Sequence, residues 1–418
     1  RLDPGEAVFE EFRRWIIALG DHLWHNDGDA ETMKKVARYR ERGKIDAAVT
    51  IARRLEPIAA RADEFDTHSH LLNVHNGVVD LRTGDLGSHD PTLKIRQLAG
   101  AAYRSDATHP DIDAVLHVMT SGVRDWVQRL LGSAAVGTVV DDIVAVADGK
   151  GSNGKTTLLK MAAVALGDYA TPASTRLLIA RATHDDHPTL IADLFGRRLV
   201  YIEETPEGGA LKMEQLKALS GGTEIKARFI AKDQFTFSPT HQFIIATNHR
   251  PAVNASDHAA WRRLRLIPFP NTYRKPHEAR NGDLVADLGL RTRLGLECQR
   301  EAALAWIVAG AVAWHRDGLG GCAEVDAATD TWRRSEDVIE AWWNDRVVAD
   351  RNGEEGAAAV YRSFTEWCDL NGRRPPSNKE FVKKLTDHEL YERHRIERHD
   401  GMNGRVYRGF SVRSEVLG

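Results

Sequence analysis

Eight consecutive residues, Gly149-Lys150-Gly151-Ser152-Asn153-Gly154-Lys155-Thr156, satisfy the pattern GxxxxGK[ST]. The glycines of such a loop let backbone N–H groups turn inward around phosphate oxygens, at the positive end of the helix that follows. Lys155 would bridge the β- and γ-phosphates, and Thr156 would hold Mg²⁺. The candidate phosphate contacts run from Gly149 to Thr157, so ATP and Mg²⁺ are the expected cofactors. Some 48 residues later comes Leu199-Val200-Tyr201-Ile202-Glu203-Glu204, an apolar run closed by two carboxylates. One carboxylate, Glu203 in this reading, can complete the Mg²⁺ shell through water. The other, Glu204, can polarise the attacking water, although the pair by itself leaves the division of labour open.

Two further groups could take part. Asn248 ends the apolar run Phe243–Thr247 and can hold the lytic water or the γ-phosphate; a turn cap before His249-Arg250-Pro251 is the plain alternative. Arg262 and Arg263 open the run Leu264-Arg265-Leu266-Ile267-Pro268-Phe269. Alternation puts Arg263 and Arg265 on one face, Leu264 and Leu266 on the other. A guanidinium at this place can be an arginine finger for a neighbouring subunit, or a charge that blunts an edge strand. His184 and His187 have HxxH spacing, but no third ligand follows at a useful distance, so a polar loop is the reading there.

The elements that must position these groups are legible as alternations of period. Residues 8–65 read as helical, with Val8, Phe12, Trp15, Ile16 and Leu19 on one face. Residues 71–81 read as a hairpin around Asn76-Gly77, with a further turn at 83–85. A helix is expected over 112–131, burying Trp126, Leu130 and Leu131. Four short apolar runs (143–147, 199–202, 243–246, 264–267) separated by helical or loop segments have the signature of buried strands in an α/β sheet. A helix over 299–316 precedes Gly318-Leu319-Gly320-Gly321, a candidate linker. Helices over 336–350, 355–371 and 377–387 and two strand-like runs follow. Three helices and then a hairpin is the order of a winged helix-turn-helix, with Trp332, Trp342, Trp343 and Trp367 as core.

Composition sets the limits. With 418 residues, 42% hydrophobic and 28% charged, the chain has ordinary globular character and room for two to three domains. A formal net charge of −3 excludes a wholly basic nucleic-acid binder. That average hides residues 225–275, where nine basic residues face two acidic ones, a local +7. No apolar run reaches the ~20 residues of a membrane span. Three scattered cysteines form no CxxC pair, which fits a cytoplasmic protein without disulfides. The chain starts with Arg1, and the sequence is expected to extend further N-terminally in its native form.

Taken together, these motifs resemble superfamily 3 helicases, in the group of phage and plasmid primase-helicases with relatives in poxviruses and other large DNA viruses. Gly149–Thr156, Val200–Glu204, Leu216–Phe237 and Ile244–Asn248 follow the order of the family's motifs A, B, B′ and C. Leu216-Lys217-Ala218-Leu219-Ser220-Gly221-Gly222-Thr223-Glu224-Ile225-Lys226-Ala227-Arg228 is similar to the family's B′ run. The resemblance implies an AAA+-like ATPase, a DNA-contacting β-hairpin with Lys232 at its tip and Lys226 and Arg228 on its strands, Asn248 as sensor 1, and Arg263 (or Arg262) as finger. It also implies 3′→5′ translocation on single-stranded or forked DNA as a hexameric ring, with a primase or initiator as a possible partner. The expected division is an α-rich domain over 1–108, the ATPase over 109–290, a helical linker over 291–334 and a winged helix over 335–418. Residues 1–70 lack the paired carboxylates of the primase-polymerase domain that often precedes such helicases, so priming is not expected of this chain. The alternatives from other classes are a nucleotide-gated DNA-binding or origin scaffold, and an AAA+ remodeller of protein.

Overall fold

The computed structural model describes residues 4–26, 28–52, 64–180, 189–221, 224–230, 233–253, 255, 257–373, 375–401 and 404–413. The chain packs as two units, residues 1–67 with 92–96, and residues 68–91 with 97–418.

In the first unit, helices α1 (Pro4–His25), α2 (Ala30–Tyr39) and α3 (Arg42–Ala52) bury Ile16, Val36, Ile45 and Val49. Asp29 starts α2 by accepting the Thr32 N–H at 2.6 Å. The apolar stripe of α1 is narrower than its spacing predicts: Ile16 is buried, but Trp15 is 60% exposed. A Cβ on Gly20 would sit 2.9 Å from the Val36 side chain, so α1 and α2 meet along the line of Ile16 and Gly20. Trp15 falls about 100° off that line.

The second unit opens with an antiparallel meander, β1 (Leu71–Val74), β2 (Gly77–Asp80) and β3 (Asp85–Gly87), turning at Asn76-Gly77. Leu72, Val74, Val79 and Leu81 join the same apolar core as Trp126, Leu130 and Leu131. The meander therefore belongs with the second unit, not with the helices grouped with it over 1–108. The helix expected over 112–131 is two, α4 (Pro110–Leu116) and α5 (Ser121–Val136), because the Thr120 hydroxyl caps the Val123 N–H and restarts the helix.

A five-stranded parallel sheet forms the centre. In chain order come β4 (Val144–Asp148), α6 (Lys155–Leu166), β5 (Ala170–Pro172), β6 (Ile179–Ala180), α7 (Thr189–Ala192), β7 (Leu199–Glu203), β8 (Ala210–Leu211), α8 (Met213–Ser220), the hairpin β9 (Ile225–Arg228) and β10 (Gln234–Phe237), β11 (Gln242–Thr247), α9 (His258–Trp261) and β12 (Leu264–Pro268). The sheet order is β12-β4-β11-β7-β5, and all four expected runs are its strands. Ala145, Ala147, Ile244 and Ala246 face one core, while Val144, Val146, Phe243 and Ile245 face the other. Burial on both faces explains why these strands read as continuous apolar runs.

Short strands β13 (Tyr273–Arg274) and β14 (Leu284–Val285) and one turn of helix, α10 (Leu290–Arg293), lead to α11 (Glu297–Asp317). Residues 318–321 do not act as a linker. Trp126 Nε1 donates to the Gly320 carbonyl at 3.1 Å, and Arg129 Nε to the Leu319 carbonyl at 2.8 Å. Helix α12 (Ala323–Glu336) then returns to the sheet, where the Thr329 hydroxyl accepts the Leu266 N–H at 2.8 Å and Trp332 meets Trp261 edge-on. The last elements are α13 (Val338–Arg346), β15 (Val347–Gly356), α14 (Ala357–Leu370), α15 (Asn378–Thr386), α16 (Glu389–Arg393), β16 (Glu397–Gly401) and β17 (Gly404–Val412). Strand β15, read as the end of a helix from its sequence, pairs antiparallel with β17, which also pairs with β16. Trp342, Trp343, Trp367, Phe364, Phe381 and Phe410 fill their core. No helix among the described residues is long and apolar enough to cross a membrane.

Candidate nucleotide-binding site

The loop that follows β4 has one backbone solution. A Cβ on Gly149 would lie 1.9 Å from Asn153 Nδ2 and 2.6 Å from the Phe269 carbonyl, so only glycine fits there. Gly151, Ser152 and Gly154 take positive φ values of 96°, 48° and 90°, which aims successive peptide N–H groups into one concavity. Helix α6 begins at Lys155 with no side-chain cap on its first turn. Lys155 is only 5% exposed, and its ammonium donates to the Gly149 carbonyl (2.6 Å), Asn153 Oδ1 (2.9 Å) and Asn248 Oδ1 (3.1 Å). Burial lowers its pKa, and the charge of Asp148 works the other way. All three acceptors are neutral, so the buried cation keeps its charge available to an anion. The uncapped helix turn and this ammonium together fit a nucleoside triphosphate.

A cavity of about 370 Å³ opens above the loop. Ser152, Asn153, Lys155, Thr156, Thr157, Glu204, Thr247 and Asn248 line its polar end; Val115 of α4, Val118 just after it, and Val285 and Leu290 of the β14–α10 strap form an apolar end. A polar end with fixed donors and an apolar slot is the shape of a phosphate site joined to a base site. Lys150 lies on the loop and is exposed.

Sheet order brings the other groups together. Strand β11 lies between β4 and β7, in register with Ala246 beside Ala147 and Glu203. Asn248 therefore sits between the phosphate loop and the carboxylates and touches Lys155 directly. Glu203 ends β7 and is half-buried, with Arg291 Nη2 3.8 Å from its Oε1. Glu204 is exposed, has φ 59°, donates its N–H to the Ala246 carbonyl at 3.0 Å and lines the cavity. Thr156 and Glu204 line the cavity and could share a divalent cation; Glu203, at the end of β7, is not among its lining residues.

The two candidate finger arginines differ in their surroundings. Arg263 is 9% exposed; its Nη1 donates to the Ala259 carbonyl at 3.0 Å and its Nη2 lies 3.6 Å from Asp142. Arg263 is thus held by its own chain in this conformation, with its Nε left without a partner. Arg262 beside it is exposed. Both precede β12, which is parallel to β4 with Leu264 opposite Val144, so they lie at the sheet end away from the phosphate loop. Five residues of strand separate the two ends, about 16 Å, so neither serves its own loop. On the β9–β10 hairpin, Lys226 and Arg228 are exposed while Ile225 and Ala227 are buried, giving one basic outer face. Lys232, and the pair His184 and His187, lie outside the described residues.

Some site residues carry no sequence signal. Arg293 donates to Asp111 Oδ1 and Oδ2 at 2.7 and 2.9 Å, across 182 positions of chain, and pulls that carboxyl down to about 2. Arg250 pairs with Asp148 at 2.8 Å beside the loop, and Ser152 accepts the Tyr273 N–H at 2.7 Å. The Arg250 and Ser152 contacts lie in or beside motifs that spacing flags; the Arg293–Asp111 pair does not.

Residues 6–121 match a family described as D5 N terminal like, and residues 147–263 match a family of unknown function, DUF5906. A putative helicase (L207/L206) of Acanthamoeba polyphaga mimivirus is 24% identical over 344 residues, covering 78% of this chain and 36% of its own. The likeness extends to further proteins of other viruses. A putative primase (C962R) of African swine fever virus is 26% identical over 335 residues, 73% of this chain and 34% of that protein. The putative helicase 022R of Frog virus 3 is 24% identical over 268 residues, 61% of this chain and 28% of that protein. The chain thus spans about a third of the length of these relatives. The solved C-terminal region of NrS-1 aligns over 74% of this chain and 76% of its own, at 11% identity and a TM-score of 0.45, a likeness too distant to carry weight.

Proposed function

We propose that this chain is an ATP-dependent translocase on single-stranded DNA that unwinds forked duplex in 3′→5′ direction as a hexameric ring, in phage- or plasmid-type replication. The observation that carries the reading is the buried Lys155 ammonium, joined to Asn248 at 3.1 Å at the sheet end where β7 delivers Glu203 and Glu204. When bound, Mg²⁺–ATP supplies the scissile phosphoanhydride bond. The chain's own work is then to hold phosphate oxygens on the loop N–H groups and Lys155, to orient a water from Glu204, and to report the phosphate through Asn248. With Arg263 turned inward, Arg262 is the arginine free to complete a neighbour's site. The basic outer face of the β9–β10 hairpin supports DNA as the track, held by its phosphates. The parallel sheet with β11 inserted beside the loop strand supports the AAA+-like reading, and the α13–β17 module supports a winged helix.

ATP hydrolysis with and without single-stranded DNA tests this directly, for wild type, Lys232→Ala and Lys226→Ala/Arg228→Ala. Stimulation by DNA in wild type and its loss in the hairpin variants is the expected result. Weak hydrolysis indifferent to DNA would favour a nucleotide-gated scaffold, and stimulation by protein alone a remodeller.

A further inference from the structure

A basic side chain stands at the candidate magnesium carboxylate, and it comes from the strap over the cavity, not from the sheet. Arg291, the second residue of α10, places Nη2 3.8 Å from Glu203 Oε1. Its neighbours in that one turn are fixed. Leu290 lines the apolar end of the cavity. Arg293 holds Asp111 at 2.7 and 2.9 Å and Asp287 at 2.5 Å, and Asp287 Oδ1 accepts the N–H groups of Gly289 (2.9 Å) and Leu290 (3.1 Å). Asp111 stands on α4, whose Val115, with Val118 just beyond the helix, forms the opposite wall. The strap is therefore braced within itself and pinned to α4, while the Arg291 side chain itself is 56% exposed.

A divalent cation on Glu203 and the Arg291 guanidinium beside the same carboxylate would repel each other. We infer that Arg291 is a positioning residue for Glu203: its guanidinium holds the carboxylate on the strap side, and Glu203 turns to a divalent cation only as Arg291 gives way. The inference rests on the nucleoside triphosphate reading of the cavity and adds to it a cation gate drawn from outside the recognised motifs.

The test is calorimetric binding of a non-hydrolysable ATP analogue to the full chain across a Mg²⁺ series, with an EDTA reference. Arg291→Ala is expected to lower the half-saturating Mg²⁺ about two- to fivefold, the range for a partly exposed pair, with affinity in EDTA unchanged. Arg291→Lys should keep the wild-type Mg²⁺ dependence, and adding Glu203→Gln to Arg291→Ala should erase the shift. An unchanged Mg²⁺ dependence in Arg291→Ala overturns the inference. So does a reduced preference for the triphosphate analogue over ADP with unchanged Mg²⁺ dependence, which would put Arg291 on the terminal phosphate. If wild type and Lys155→Ala both fail to bind the analogue, the nucleotide reading itself falls, a result distinct from the other two.

Discussion

The two ends of the parallel sheet carry the same kinds of side chain under opposite regimes. At the carboxyl end, the cation Lys155 is buried yet satisfied only by neutral oxygens, and the two carboxylates nearby lie half-buried or exposed. At the amino end, the cation Arg263 is equally buried but meets an ion-pair partner in Asp142 and a carbonyl of its own chain, while Arg262 is left in solvent. Burial alone does not separate function from structure here. What separates them is whether the buried charge has already been answered by its own chain.

That contrast can be broken from either end. The largest effect is expected for Arg262→Ala, a fall of roughly 10³-fold or more in hydrolysis by the assembled protein with nucleotide binding kept. Arg263→Ala should instead cost about 1–3 kcal/mol of stability, because Ala259 and Asp142 lose their partner; thermal unfolding and hydrolysis measured on both variants decide between them. If Arg263→Ala abolishes turnover at unchanged stability, the assignment of the two ends is reversed. Next in size, Glu204→Gln should slow hydrolysis ~10²–10⁴-fold while retaining bound nucleotide, and rapid turnover in it would pass the base role to Glu203. Lys155→Ala should cost about 10²–10³-fold in hydrolysis and weaken binding as well, read by the same assay together with calorimetry.

The smallest effect concerns His241, which is 2% exposed just before β11, at the amino end. Burial depresses its pKa from 6.5 to about 4, against the opposing hydrogen bond to the Leu219 carbonyl. A depressed folded pKa means full stability above pH 6.5, eroding as pH falls towards about 4, where the unfolded chain binds the proton first. His241→Phe should flatten the melting temperature across that window. A wild-type curve already flat there would show that the ring is solvated.

Much of the sheet was legible because strands buried on both faces must be apolar throughout, as 143–147, 199–202, 243–246 and 264–267 are. The phosphate loop was legible because its glycines and lysine act locally. The helix break at Thr120, strand β15 and the false linker at 318–321 were not, since each depends on what comes to lie beside it. Strand β15 is mostly polar, and only pairing with β17 makes it a strand. The roles of Arg262 and Arg263 follow the same rule: adjacent and identical, they differ only in which way the fold turns them.

By itself, then, the sequence determined the glycine-rich loop after β4, the acidic strand end, the position of Asn248 and the run of sheet strands along the chain, because each is written in neighbouring residues of fixed type. The tertiary structure decided the cation balance: which arginine is answered, that Asp111 and Arg293 close the slot across 182 positions, and that Arg291 meets Glu203. Charges act through space and burial, and neither distance nor burial is encoded in spacing along the chain.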